Sequence, residues 1–286
     1  TAYIATTRYK FNDHTPGLYK TTDYGKTWIK IINGIPDGAF TRVVREDDKR
    51  KDLLFAGTET GIYISWNGGK NWEPFQLNMP VTPITDLRIH QGNLIASTSG
   101  RSFWILDDLS LIRQYKKDTA AFSRKEYLWT IFNPSPAYLI NGSSELDETK
   151  ADFTGLNQTR GVNPSTGVVI YYQLPEIKDS INLTMEIKDA AGNLVHSFSS
   201  KKDSSYKKYD GGPPAEPILS RGKGLNRFVW NMRYSTMPGV PDVYIESSYA
   251  GHKAIPGKYT VTLMMGEQKL SADAVILANP LYPTDA

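Results

Sequence analysis

The chain has no cysteine among its 286 residues. That excludes disulfides, thiolate nucleophiles and cysteine-ligated metals. Histidine is scarce, with 4 residues. Only His14 adjoins another metal-binding type, Asp13, and no second ligand follows at metal-site spacing. The two read as a surface-loop pair, and neither a metal nor any other cofactor is expected. No apolar run approaches the ~20 residues of a membrane helix. No sign of charge dominates: 33 Lys and Arg face 30 Asp and Glu, leaving +3 with no basic stripe. A phosphate-backbone footprint is therefore missing, and nucleic acid is not an expected partner. The run "REDDKRKD" (Arg45 to Asp52) mixes signs and reads as a solvated turn. There is no phosphate-binding glycine loop, nucleophile elbow or HExxH.

What is present favours strands. Hydrophobic residues make up 40% and charged residues 22%, a globular balance. The 17 Tyr and 6 Trp, with frequent Gly and Pro, suit strands and turns better than long helices. The N-terminus has neither an initiator Met nor a signal peptide, and opens on the alternating run "TAYIATT". A domain rarely begins in mid-sheet, so the chain is expected to be a piece of a longer protein or a mature form cut from one.

"LYKTTDYGKTW" (Leu18 to Trp28) is echoed by "YISWNGGKNW" (Tyr63 to Trp72). Thr21, Asp23, Gly25, Thr27 and Trp28 are matched 44 positions later by Ser65, Asn67, Gly69, Asn71 and Trp72. A period of about 40 to 50 residues points to a β-propeller built of four-stranded blades. With strands lettered A to D outward, the second repeat has A near Phe40–Arg45, B near Leu53–Thr58, C near Gly61–Trp66 and D near Asn71–Leu77. The first repeat has B (Ala2–Thr7), C (Leu18–Thr21) and D (Thr27–Ile32), without A. The third has "ITDLRIH", "NLIASTS" and "SFWILDD", with a weak D near Leu109–Tyr115. The repeated motif lies between C and D, where each residue has a structural task. Gly supplies positive φ, Asp or Asn accepts backbone N–H bonds, and the hydroxyl adds a local bond. The Trp is expected to pack between neighbouring sheets.

Residues 116–160 are polar and rich in Pro, Gly and Ser, and read as a surface connector. Beyond them the alternation returns. "GVVIYYQL", a hairpin over Asn182–Ser200 turning at "DAAGN", "NRFVWNMRY" and a hairpin over Pro256–Leu277 give six or seven short strands in 161–286. That number suggests an all-β sandwich with the Trp of "FVW" in its core. The loops Lys201–Lys223 and Ser235–Ile255 are long enough to bind something, and equally suit ordered surface loops.

"TTDYGKTW" and "SWNGGKNW" resemble the Asp-box, or BNR repeat, of sialidases, xyloglucanases and sortilin-type propellers. The string through "GRSFWILDDLS" is similar to the final blades of large bacterial BNR-repeat proteins, often labelled glycosyl hydrolase or sortilin-like. The resemblance covers residues 1–115. The strings "IKDAAGNLV", "GLNRFVWNMRY" and "PGKYTVTL" resemble the Ig-like modules that end many secreted bacterial proteins. The resemblance implies an extracytoplasmic location, a structural Asp-box, and a glycan or protein ligand. It also implies partnership with remaining blades of a longer chain, or self-association.

Propeller sites usually lie at the face formed by B–C and D–A turns. The B–C turns are Arg8–Pro16, Thr58–Thr60 and Ser99–Arg101. The first gathers Arg8, Tyr9, Asp13 and His14, and the next two add Glu59 and Arg101. These six are the candidate ligand-binding residues. Glycoside cleavage needs two facing carboxyl groups, one with a raised pKa, and Asp13 and Glu59 are the weak candidates for them. A glycoside hydrolase of sialidase or xyloglucanase type, with acids on blades absent here, is the competing reading.

Overall fold

A computed structural model describes residues 1–115, 129–147, 161–240, 243 and 248–282. The chain is mostly β, in several largely antiparallel sheets, and divides into two compact units. Residues 1–115 belong to the first, and the described residues from 129 onward to the second.

The first unit holds three sheets. One comprises β1 (Ala2–Thr6), β2 (Gly17–Thr21) and β3 (Ile29–Lys30). The next comprises β4 (Thr41–Glu46), β5 (Leu54–Thr58), β6 (Ile62–Ser65) and β7 (Glu73–Pro74). The last comprises β8 (Ile84–His90), β9 (Asn93–Thr98) and β10 (Phe103–Leu106). Each sheet keeps its strands in chain order with antiparallel register. The positions agree with the sequence reading, although the outer strands β3 and β7 are only two residues long.

The middle sheet is covered on both faces, and its period of two sorts the side chains. Val44, Leu54, Ala56 and Tyr63 join Leu18, Ile31 and Trp72 in one cluster. Val43, Phe55, Ile62 and Ile64 join Ile84, Leu87 and Leu94 in another. This double cover explains why β5 and β6 are buried throughout. Gly57 permits a close approach of the third sheet: a Cβ there would lie 2.6 Å from Ile84 and 2.7 Å from Val43. Bulges interrupt β4 between Thr41 and Val43, and β8 between Ile84 and Asp86.

Two expectations change in this unit. Leu109–Tyr115 is not an outer strand: Ser110–Gln114 forms a short helix, α1. Arg50 Nη1 caps its end, donating to the carbonyls of Ile112 (3.0 Å), Arg113 (3.1 Å) and Tyr115 (2.6 Å). Nor is "REDDKRKD" simply solvated. The Asp47 carboxylate is fully buried and takes a forked bond from Arg113, at 3.0 and 2.7 Å to Oδ2. Burial pushes the Asp47 carboxyl up, but the bonds from Arg113 and from the Arg50 and Lys49 N–H groups outweigh it and leave it lowered.

The second unit has two sheets. One is ordered β11 (Thr130–Ile131), β13 (Val168–Leu174), β16 (Gly224–Trp230). The other is ordered β12 (Ala137–Tyr138), β18 (Gln268–Leu277), β17 (Gly257–Met265), β14 (Leu183–Asp189), β15 (Leu194–Ser199). Both feed one apolar cluster that includes Ile170, Tyr172, Met185, Phe198, Val261 and Leu263. Trp230 is buried in it, as expected, and its Nε1 donates to the Arg233 carbonyl at 3.0 Å. The hairpin turns also fall where expected. Asp189 Oδ1 accepts the N–H groups of Ala191 and Asn193, and Gly192 and Gly266 take positive φ. The segment read as a connector supplies β11 and β12, paired with β13 and β18. Its residues 116–128 and 148–160 lie outside the described residues. No helix among the described residues is long and apolar enough to cross a membrane.

Candidate functional site

The repeated motifs are local clasps. Thr21 Oγ1 donates to Asp23 Oδ1 at 2.8 Å and accepts the Gly25 N–H at 3.0 Å. Asp23 then accepts the Thr27 N–H at 2.9 Å and the Thr27 hydroxyl at 2.6 Å. Led by the Thr27 hydroxyl, these bonds hold the Asp23 carboxyl at about 2. In the second motif Ser65 Oγ donates to Asn67 Oδ1 at 3.1 Å and accepts the Gly69 N–H at 2.9 Å. Asn67 Oδ1 accepts the Asn71 N–H at 3.0 Å. Gly25 and Gly69 sit at φ 86° and 88°, in the left-handed region that favours glycine. An ionised Asp23 that accepts three local hydrogen bonds is a turn clasp and a poor proton donor. Trp72 packs between the first two sheets and donates through Nε1 to the Ile31 carbonyl at 2.7 Å. Trp28 departs from the expectation. It is 39% exposed, against 5% for Trp72, and it belongs to neither apolar cluster of the first unit.

The end of the first unit that carries the β1–β2 and β5–β6 turns holds the candidate binding residues. The β1–β2 loop makes one 3₁₀ turn, Tyr9–Phe11, and is tied to the next sheet through Thr41. Thr7 Oγ1 donates to the Thr41 carbonyl at 2.7 Å, and Gly17 N donates to Thr41 Oγ1 at 2.9 Å. Thus anchored, Tyr9 stacks on Phe40 at 5.2 Å, and His14 lies tilted against the same ring at 5.7 Å. The Arg42 guanidinium lies 5.1 Å from the Phe40 ring centre and 5.8 Å from that of Tyr9. It forms an ion pair with Glu59 through Nη2 at 2.5 Å, with Nε at 3.1 Å from the same oxygen. Tyr9, His14 and Glu59, distant in sequence, are therefore brought together around Phe40 and Arg42.

The other candidates stand apart. Arg8 pairs with Asp13 at 3.4 Å inside the loop. The Thr15 hydroxyl and N–H, at 2.6 and 3.1 Å, lower the Asp13 carboxyl. No hydrogen bond or ion pair among the described residues joins Asp13 to Glu59, or the Arg101 side chain to the cluster. The raised carboxyl of the first unit is elsewhere: desolvation, then the charge of Asp108, pushes Asp107 up. No group of three or more His, Asp or Glu among the described residues is placed to hold a metal.

Sequence reasoning missed Phe40 and Arg42. Phe40 reads as the start of a strand, but the bulge after Thr41 breaks the alternation and turns Arg42 toward Glu59. The two long loops of the second unit are pinned where they are described, and residues 241–242 and 244–247 lie outside that description. His196, isolated in the sequence, is buried between the Arg233 carbonyl, 3.0 Å from Nδ1, and Glu216, 3.1 Å from Nε2. Glu216 also accepts the Thr236 N–H at 3.2 Å. The His196 bond leads in holding Glu216 down at about 2, against partial burial.

A scan against protein-family models matches none, and a search of curated proteins returns no match.

Proposed function

We propose that residues 1–115 are consecutive blades of a BNR-type β-propeller, and that the second unit is an Ig-like β-sandwich serving as a docking or spacer module. In this reading the protein is extracytoplasmic and belongs to the C-terminal part of a larger propeller protein. It binds a glycan or protein ligand at the end of the first unit that carries the Tyr9–Phe40–Arg42–Glu59 cluster. The observation that carries the reading is that cluster, with Tyr9 41% exposed beside an Arg–Glu pair and Phe11, in the same 3₁₀ turn as Tyr9, 80% exposed. Exposed rings offer flat apolar contact, and a fixed ion pair offers both donors and acceptors to a polar ligand. Further blades or a second copy would cover apolar side chains that the first sheet leaves exposed, among them Ile4, Trp28 and Ile29.

The hydrolase reading has less support. Its acid needs a raised carboxyl, whereas Asp13 is lowered and Glu59 is held by Arg42.

The test is surface plasmon resonance of the full chain over xyloglucan, sialylated oligosaccharides and neutral oligosaccharides. Binding to at least one of them, weakened about tenfold by Tyr9→Ala or Phe11→Ala with unchanged melting, is the expected result; each tenfold step is about 1.4 kcal/mol. Binding that ignores both substitutions sinks the proposed face. Release of reducing ends that Glu59→Gln abolishes would move the reading to hydrolase.

A further inference from the structure

The second unit contains a cavity of about 270 Å³ lined by Asn141, Asp147, Thr166, Asn231, Arg233 and Lys253, with Leu139 and Met232 among its apolar walls. Its size falls just under the ~300 Å³ at which drug-sized pockets begin, so it suits a smaller guest. Arg233 and Lys253 face each other across an isolated antiparallel β-bridge. Like charges directly opposite one another destabilise such a pair. Neither cation has a carboxylate partner among the described residues. The one carboxylate in the lining is already committed. Asp147 accepts the N–H groups of Ser144 and Thr166, both at 2.7 Å, and the Thr166 hydroxyl at 2.8 Å.

The donors left over have a definite shape. Arg233 spends Nη1 on the Gly251 carbonyl at 2.8 Å. Its Nε and Nη2 bond to no described residue, which leaves the side-on fork that matches the two oxygens of a carboxylate. Lys253 Nζ donates to Asn141 Oδ1 at 2.6 Å and lies 3.4 Å from the Ile140 carbonyl, so at least one ammonium proton remains. The amides of Asn141 and Asn231 line the same space and suit hydroxyl or amide groups on the rest of a guest.

We propose that this cavity binds a small carboxylate of single-residue size, with Arg233 as the fork and Lys253 as the second charge. The carboxylate belongs either to a sugar acid or to an amino acid or peptide C-terminus. The guest relieves the repulsion that the β-bridge imposes. This site is independent of the ligand face assigned to the first unit.

The experiment is isothermal titration of the full chain with galacturonate, N-acetylalanine, galactose and inorganic phosphate. Binding of galacturonate or N-acetylalanine, at least tenfold tighter than galactose and tighter than phosphate, is expected and names the source. Lys253→Gln keeps an amide in reach of Asn141 and is expected to weaken that binding about tenfold while leaving ligand-free melting unchanged or slightly raised. Arg233→Lys keeps the charge, loses the fork and is expected to weaken binding at least as much. The proposal is overturned if neither acid binds, if galactose binds as well as galacturonate, if phosphate binds more tightly than both acids, or if Lys253→Gln leaves affinity unchanged.

Discussion

The two clasps, at Thr21–Trp28 and at Ser65–Trp72, have nearly the same hydrogen bonds and opposite surroundings. In both, a hydroxyl and an Asx side chain close a turn around a left-handed glycine. The second is built into the unit: Trp72 fills the gap between two sheets, and its N–H and Nε1 reach the Asn33 and Ile31 carbonyls. The first is largely exposed, with Tyr24 and Trp28 open to solvent. Local chemistry therefore makes the turn, and the neighbouring sheet decides what the turn is worth.

The sharpest way to break the comparison is to remove both tryptophans in turn. Trp72→Ala is expected to cost about 3–5 kcal/mol, as for other large aromatic-to-alanine core truncations. Trp28→Ala should cost under about 1 kcal/mol, in line with exposed substitutions. Urea unfolding of the two variants checks this, and equal losses would show that the tryptophan serves the turn rather than the sheet gap.

The glycines sharpen it. Both Ala variants carry the left-handed strain of about 1 kcal/mol. Gly69→Ala also pushes a Cβ to 2.5 Å from Ile31 Cδ1, whereas the nearest atoms to a Cβ at Gly25 are 3.9 Å away, on Trp28. Gly69→Ala should therefore lose about 2–3 kcal/mol in total, the excess being the overpacking term, and Gly25→Ala only the first part. Thermal melting of the pair measures the difference.

The smallest effect separates the Asx residues. The Asp23 carboxyl is depressed to about 2 in the fold, below the ~3.9 of an unfolded chain. Its stabilisation is present above about pH 4 and is lost as pH falls through about 2. Asn67 has no such charge. Any advantage in melting temperature of the parent over Asp23→Asn should shrink between pH 4 and pH 2, while an Asn67 variant should show a constant offset. A pH-independent offset for Asp23→Asn would mean that the charge plays no part in the clasp.

These contrasts mark how far the sequence could be read. Most strand positions in both units were legible because alternation is a local signal, repeated at the 44-residue offset in the first unit, but β11 and β12, inside the segment read as a connector, were not. The clasps were legible because their partners lie within four residues of one another. The exposure of Trp28 was not, since it depends on which sheet lies beside it. Helix α1 was hidden as well, because its end is held by Arg50 and its Arg113 by Asp47, more than 60 positions away. The candidate site divides in the same way. The β1–β2 loop announced itself by composition, but Phe40 and Arg42 join it through a bulge and contacts between neighbouring sheets that no spacing rule encodes.

That bulge has an equivalent in the next sheet. The register slips at Arg42 in β4 and again at Thr85 in β8, each near the start of its sheet's first strand. At the first position Arg42 reaches Glu59; at the second Thr85 Oγ1 lies 2.7 Å from Ser97 Oγ. The extra residue is a socket set into a repeating frame. What stands in it can be exchanged, a long cation in one sheet and a short hydroxyl in the next, while the ladder on either side keeps its pairing. A protein assembled from such sheets can vary what it presents at one end without redesigning the parts that hold it up.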